Sequence, residues 1–424
     1  MNILHTSDWH LGQTLFGRKR NEEFQGFLLW LRQTILSENV DVLLVSGDVF
    51  DSGLPSNQAQ AMYYRFLRDV SAGPCRHIVI TAGNHDSPSF LDAPQSLLSS
   101  MGIHVIGRAL EPEQEVLLLR DEGGAPELIV CAVPFLRDRD LYRASPGDSV
   151  DERDRLLADG LRDHYRRCAE QAERLRAEVG RHAPARASVA PVPVVAMGHL
   201  FASGGVTVEE DGVRDLRIGS LGQVEADIFP AGFDYVALGH LHIPQVVGHQ
   251  ERIRYCGSPL PMGFGEARQQ KQVELVSLEG GSLTVRALPV PCFQRLEQIR
   301  GDRDAIEARL DELERQGESV WVEVRHSGTG AASELRDRLM QKNLKSVQIL
   351  AVRRERTAEA GLIPEHELET LEDLEAGDVF ERRLADMKQA CGCDDARLDA
   401  LRGTYAEAVR SFMQKEEDES PCES

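Results

Sequence analysis

The chain opens with Asn2-Ile3-Leu4-His5-Thr6-Ser7-Asp8-Trp9-His10-Leu11-Gly12: a short apolar run that stops at a polar pair, Asp8 and His10, with a glycine close behind. The same pattern recurs down the chain. The run Asp41–Val45 leads into Gly47, Asp48 and Asp51, and His77–Thr81 leads into Gly83, Asn84, His85 and Asp86. Val194–Met197 leads into Gly198 and His199, and Tyr235–Leu238 into Gly239, His240, Leu241 and His242. Each run reads as a β-strand, and Glu127–Ala132 reads as another without such an ending. In α/β folds functional groups gather at the carboxyl ends of strands, so these clusters can converge on one rim. The glycines permit the sharp turns and close backbone approach that such a rim needs.

The residue types fit one chemistry. Asp, His and Asn are the mixed oxygen and nitrogen donors that Mn²⁺, Fe²⁺ or Zn²⁺ accept. In Asp8-x-His10 and His240-x-His242 the partners stand at i and i+2, which places them on one side of an extended chain. A carboxylate such as Asp48 can bridge two cations. Two cations roughly 3.5–4 Å apart can clamp both oxygens of an in-line phosphoryl displacement. A lone histidine beside a glycine is more often a satisfied polar group, and one Asp-x-His pair arises readily by chance. Here five of the thirteen histidines fall inside clusters that each follow a strand, and chance does not account for that.

At 424 residues the chain exceeds one ordinary domain, and 42% hydrophobic residues suffice for a sizeable core. A charged amphipathic helix is predicted from Val150 to Val179. Its apolar positions Leu157, Leu161, Tyr165, Cys168, Ala172, Leu175 and Val179 recur every three or four residues. A Pro/Ala loop follows from Ala183 to Pro193. Texture changes near Pro289–Pro291. Beyond it, residues 292–355 predict strand, helix, strand, helix, strand, with helices at 302–316 and 332–342 and strands at Ser319–Arg325 and Ser346–Val352. After Thr357 the signal is helical and acidic, with stripes at Val379, Phe380, Leu384 and Met387 and again from Leu398 to Phe412. The expected layout is residues 1–288, a small α/β cap at 289–357 and a helical tail at 358–424.

The net charge of −21, from 48 basic and 69 acidic residues, counts against a solitary nucleic-acid binder, which must neutralise phosphates itself. The eight cysteines form no C-x-x-C pair and read as reduced, mostly buried thiols. Neither a signal segment nor a membrane-length apolar run is visible, which predicts a cytoplasmic protein with no membrane attachment.

The ordered set D-x-H, G-D-x-x-D, G-N-H-D, G-H and G-H-x-H resembles the calcineurin-like metallophosphoesterase superfamily. Thr6–Gly12, Gly47–Asp51, Ala82–Ser87 and Gly257-Ser258-Pro259 narrow the likeness to the nuclease subunits of bacterial DNA-processing complexes, and the likeness covers nearly the whole chain. It implies a four-layer α-β-β-α sandwich carrying the cap and the helical tail. It also implies a metal-dependent exonuclease and endonuclease acting on DNA ends and hairpins in repair, recombination and replication. Carried over residue by residue, Asp8, His10, Asp48 and His242 would hold one divalent metal, and Asp48, Asn84, His199 and His240 the second, with Mn²⁺ favoured over Mg²⁺. His85 would act as an acid on the leaving oxygen, and Asp86 would orient it. Some relatives carry a histidine where Asp51 stands, so Asp51 is assigned only a supporting role.

The implied partner is an SbcC-type coiled-coil ATPase in a twofold heterotetramer, with the tail docked on the coiled coil. Such a partner would supply much of the grip on DNA. Arg18, Lys19 and Arg20 form a basic triplet that can touch DNA phosphates or simply face solvent, and Phe16 beside them reads first as a hydrophobic anchor. The alternative activity is a stand-alone phosphodiesterase or phosphatase. Protein phosphatases of the superfamily carry G-D-x-x-D-R-G and G-N-H-E, whereas here Ser52-Gly53 follows Asp51 and Asp86 follows His85.

Overall fold

The computed structural model describes residues 1–142, 150–182, 191–202, 225–280, 282–327 and 332–354, together with seven later residues. The expected strands form, His77–Thr81 at its expected bounds and the others with one or both ends moved by one or two residues: Asn2–Thr6, Val42–Ser46, Pro126–Ala132, Val194–His199 and Tyr235–Gly239. They divide between two six-stranded mixed sheets. In the first sheet Asn2–Thr6, Val42–Ser46, His77–Thr81 and Ile103–Ile106 run parallel, with Leu4 opposite Leu43 and Leu43 opposite Ile78. The hairpin of Gln272–Glu279 and Ser282–Pro289 extends it antiparallel from the Asn2–Thr6 edge. In the second sheet Pro126–Ala132, Val194–His199, Tyr235–Gly239 and Gln250–Tyr255 are parallel, and Val116–Arg120 and Gln245–Val247 close the edges antiparallel.

The near-continuous apolar strands are explained by burial on both faces. Ile3, Val42, Leu44 and Val79 point inward to meet Leu128, Val130, Val195, Met197 and Ala237 of the other sheet. Their alternates Leu4, Leu43, Val45, Ile78 and Ile80 face outward. There they pack against Phe24, Phe27 and Leu31 of the helix Asn21–Ser37 and Met62, Phe66 and Val70 of the helix Asn57–Ser71. The outer face of the second sheet is covered by the helix Val150–His182, whose Leu161, Tyr165, Cys168 and Ala172 sit among Ile129, Cys131, Val194, Ala196 and Val236. The layer order is therefore helix, sheet, sheet, helix, an α/β sandwich whose parallel strands end on one side.

Residues 295–354 form a three-stranded parallel sheet, Arg295–Gly301, Val320–His326 and Val347–Arg354. Its helices are Arg303–Gln316 and Ala332–Met340. Asp302 caps the first helix by accepting from the Ala305 N–H at 2.9 Å, and Gly317 ends it in the left-handed region. Leu296 and Trp321 of this sheet join Leu15 and Phe264 of the sandwich in one buried cluster. The chain divides into two compact units, 1–354 and 355–424. In the second unit Phe380 and Tyr405 stack with ring centres 4.0 Å apart, and Leu384 is buried. Arg383, Leu401, Arg402 and Thr404 are described as well; the other residues of the expected tail, including Val379, Met387 and Leu398, lie outside the described residues, as do the loop at 183–190, Cys391, Cys393 and Cys422. Cys75, Cys131, Cys168 and Cys256 are buried free thiols, and Cys292 is exposed.

Candidate metal centre

The loops after the parallel strands are stitched together before any side-chain chemistry begins. The Asp8 N–H donates to the Gly47 carbonyl at 3.1 Å, His10 N–H to the Asp48 carbonyl at 3.0 Å and Leu11 N–H to that of Val49 at 2.9 Å. Asp8, His10, Asp48 and His240 all adopt positive φ, at 52°, 46°, 48° and 102°. Left-handed backbone costs about 1–3 kcal/mol at a non-glycine residue and persists only where the surroundings impose it. Two glycines make room: a Cβ on Gly47 would strike the His199 ring, and one on Gly83 would strike the Asp48 carboxylate.

The result is two adjoining donor groups. Asp8, His10 and His242 offer ligand atoms within 4.8 Å of one another, and so do Asp48, His199 and His240. One oxygen of Asp48 joins them: its Oδ2 lies 3.6 Å from His10 Nε2 and 3.2 Å from His199 Nε2. Asn84 Oδ1 lies 3.0 Å from His199 Nε2 and 3.1 Å from His240 Nδ1. The His240 N–H holds the Asp8 carboxylate at 3.0 Å, and the His85 N–H holds Asp48 Oδ1 at 2.9 Å. His199 Nδ1 lies 3.0 Å from the Ser46 carbonyl and must donate to it, so Nε2, facing Asp48, is the nitrogen that would give its electron pair to a metal once its own proton is displaced. All seven residues expected as metal ligands are thus brought to one place, and six of them are buried.

Buried and anionic, the site asks for cations. Both ring nitrogens of His10 are buried without a hydrogen bond. Carboxylate oxygens of Asp51 and Asp48 stand 3.4 and 3.6 Å from them, too far for a good hydrogen bond. Such orphaned donor atoms, set among carboxylates and a carboxamide, suit two divalent ions. Protons take that place in part. Burial lowers the His10 pKa, but Asp51, Asp48 and Asp8 outweigh it and raise it to about 9. Burial likewise opposes protonation of His199, and Asp48 raises that pKa to about 9. Burial and the neighbouring His199 push His240 down to about 3. Burial would raise the Asp48 pKa, yet His199 and His10 hold it well below the usual carboxylate range.

His85 stands at the mouth, its ring centre 4.8 Å from that of His10. Asp86 does not orient it, contrary to expectation. The Asp86 carboxylate accepts from the Gly83, Val49 and Phe50 amides at 2.9–3.1 Å and ties two of the loops together. Burial and the nearby Asp48 raise its pKa to about 6. His85 Nδ1 instead lies 2.9 Å from the Asp51 carbonyl. Asp51 therefore serves twice, through this carbonyl and through its carboxylate beside His10.

The basic triplet separates. Arg20 is 1% exposed and donates to both oxygens of Glu23, to Gln13 and to the Pro261 carbonyl, so it is an internal clamp and cannot reach a phosphate. Arg18 and Lys19 are exposed on the short hairpin Thr14–Lys19, with the Arg18 guanidinium 5.9 Å over the Trp321 ring. Phe16 at the hairpin tip is 40% exposed and carries the Arg353 guanidinium at 4.9 Å. Sequence reasoning missed Glu266 and Lys271, which are buried behind His242. They fall in a polar stretch with no periodicity, and only the nearby Gly257-Ser258-Pro259 signalled that region.

The sequence model of the calcineurin-like phosphoesterases matches residues 1–244, which contain every one of these candidate ligands. The SbcD protein of Escherichia coli K12, which carries the name of a nuclease SbcCD component, is 36% identical over 391 residues, 91% of this chain and 93% of that one. The chain belongs to the calcineurin-like phosphoesterases, in the SbcD branch. Further SbcD relatives extend the likeness. The Rhodobacter capsulatus SbcD is 39% identical over 69% of each chain, and that of Bacillus subtilis 35% identical over 66% of this chain and 67% of its own. A second model, described as the type 5 capsule protein repressor C-terminal domain, matches residues 292–388, the region of the small parallel sheet and beyond. The fold and the donor groups make this SbcD-type chain a metal-dependent phosphoester hydrolase.

Proposed function

We propose that the chain is a two-metal DNA nuclease, cutting DNA ends and hairpins as the nuclease subunit of an ATP-dependent complex with an SbcC-type coiled-coil ATPase. The observation that carries this reading is the single Asp48 oxygen faced by His10 from one donor group and His199 from the other. Asp8, His10, Asp48 and His242 would hold one ion; Asp48, Asn84, His199 and His240 the other. When bound, two Mn²⁺ or Mg²⁺ ions supply Lewis acidity to the phosphate and ease deprotonation of the attacking water.

The chain's own residues do the rest. With its Nδ1 proton donated to the Asp51 carbonyl, His85 keeps Nε2 as the atom that would pass a proton to the leaving oxygen. Burial holds its pKa below 6.5 against the pull of Asp48, and a phosphodiester anion docked beside it reverses that balance. Arg18 and Lys19, exposed on the short hairpin, would meet DNA phosphates. The overall charge of −21 leaves the remaining grip to a partner, consistent with a twofold assembly working on chromosomal DNA in the cytoplasm during repair, recombination and replication. Incubating the purified chain with Mn²⁺ and either a DNA hairpin or p-nitrophenyl phosphate tests the reading. Metal-dependent hairpin cleavage is expected. Hydrolysis of the small ester with intact DNA, in the partner's presence as well as its absence, would replace it with a stand-alone phosphatase.

A further inference from the structure

His242 is held at both ends by a pair of charges buried outside the donor groups. Glu266, fully buried on the short turn Phe264–Glu266, places Oε1 3.3 Å from His242 Nδ1. Its other oxygen accepts from the Met262 N–H at 3.0 Å and pairs with the Lys271 ammonium. Lys271, 4% exposed, also donates to the His242 carbonyl at 3.0 Å and to Ser258 Oγ at 3.1 Å. The Ser258 N–H reaches the same His242 carbonyl at 3.2 Å. One lysine therefore grips both the backbone of His242 and the carboxylate that meets its ring. A buried ion pair is seldom worth its desolvation for stability alone, so its placement against a metal-binding histidine calls for another explanation.

We propose that Glu266, fixed by Lys271, is the positioning residue for the His242 side of the metal centre. A carboxylate on Nδ1 keeps the proton on that nitrogen and leaves Nε2 to donate its electron pair. It also stops the ring from rotating about its bond to Cβ. The His199 side achieves the same with the Ser46 carbonyl, a neutral acceptor. The two sites thus differ in what stands behind their histidines, and a charged acceptor makes the imidazole the stronger donor. Removing Glu266 should weaken one ion and spare the other.

The inference rests on the two-metal reading and is separable from it. Mn²⁺ titrations of the full chain, followed by the free-ion electron paramagnetic resonance signal, should show two binding sites. The double variant Glu266→Gln/Lys271→Met removes both charges together and strands neither. It should lose roughly 10–100-fold in affinity at one site and nothing at the other, the usual scale for a group behind a metal-bound histidine. Glu266→Asp, which keeps the charge and shortens the reach, should lose less at the same site. In ¹⁵N-histidine NMR spectra of the metal-free chain, the Nδ1–H form of His242 should be present in wild type and depleted in the double variant. Unchanged affinity at both sites, or equal weakening of both, overturns the positioning role. Wild-type chain that binds fewer than two ions overturns the two-metal reading itself. Should the double variant fail to fold, Glu266→Asp alone decides between the outcomes.

Discussion

Among the described residues the strand-end rim and a second group draw histidine and carboxylate together in the interior, and they are opposites. Glu115, His164 and Cys168 offer ligand atoms as close together as those of the strand-end rim. Yet in that group the bonding is complete. Glu115 accepts from the Leu110 N–H at 2.7 Å and pairs with His164 Nε2 at 2.6 Å, and the Cys168 thiol lies 3.8 Å from the same oxygen. At the rim, His10 has two buried nitrogens without a hydrogen bond, and four residues hold left-handed backbone. Donor type does not make a metal site. Unsatisfied donors held under strain do, because nothing inside the chain repays their cost. The Glu115 group is a polar tie between the helix Val150–His182 and the short helix Pro112–Glu115 that leads into the edge strand Val116–Arg120.

The largest effect should come from the shared carboxylate. Asp48→Ala removes the one group both sites use, so metal content should fall at both and hydrolysis should drop below detection, with the far-ultraviolet circular dichroism unchanged. Near-wild-type activity in this variant would mean that the rim is not the reactive centre. His85→Gln should be next. If the ring moves protons and binds no metal, metal content stays at the wild-type level while kcat falls roughly 10²–10⁴-fold. Depleted metal in this variant would move His85 into the ligand set.

A smaller, graded effect follows from the protons that stand in for cations. In the metal-free chain His10 and His199 titrate at about 9, above their ordinary 6.5. Their protonation therefore stabilises the fold fully below pH 6.5 and ceases to do so as pH rises through 9. Metal must displace these protons. Apparent affinity should rise with pH up to about 9 and then level off. His240, at about 3, is already neutral and releases nothing. Calorimetry in buffers of different ionisation enthalpy should find about two protons released per chain near pH 7.5 and almost none above pH 10. No proton release at pH 7.5 would show that the carboxylates do not hold these imidazoles charged.

How much of this was legible follows from how local each signal is. The strands ending at Asp8, Asp48, Asn84, His199 and His240 were readable because a doubly buried strand leaves an unbroken apolar run, and a functional loop leaves polar residues immediately after it. The hairpin Gln272–Pro289 and the strand Gln250–Tyr255 were not. Their outward residues are solvated, so Arg252, Arg254 and Arg286 break the run. Arg20 shows the same limit in a side chain. As text it belongs with Arg18 and Lys19, and only the turn into the helix Asn21–Ser37 carries it inward to Glu23. Asp86 is the subtler case: a carboxylate beside a histidine suggests a pair, but it meets the Gly83 amide of its own loop and the Val49 and Phe50 amides of the adjoining one. Glu266 and Lys271 meet His242 only through the fold.

The smallest effect should come from the satisfied group, and it is the one that separates the two kinds of cluster. Glu115→Gln preserves shape but turns one acceptor oxygen into a donor. Either the amide nitrogen faces the Leu110 N–H and that bond is lost, or it faces His164 Nε2 and the carboxylate–imidazole pair is replaced by a neutral amide–imidazole bond. A hydrogen bond involving a charged group contributes about 1.5–3 kcal/mol, and this variant should lose an amount of that order in chemical unfolding. Its Mn²⁺ stoichiometry, its proton release and its kcat should match wild type, since the helix Val150–His182 lies on the far face of the second sheet from the interior that the two sheets share. An ion lost from this variant, with the rim still fully loaded, would show that Glu115, His164 and Cys168 bind metal after all. Complete hydrogen bonding would then be no guide to which buried clusters are sites.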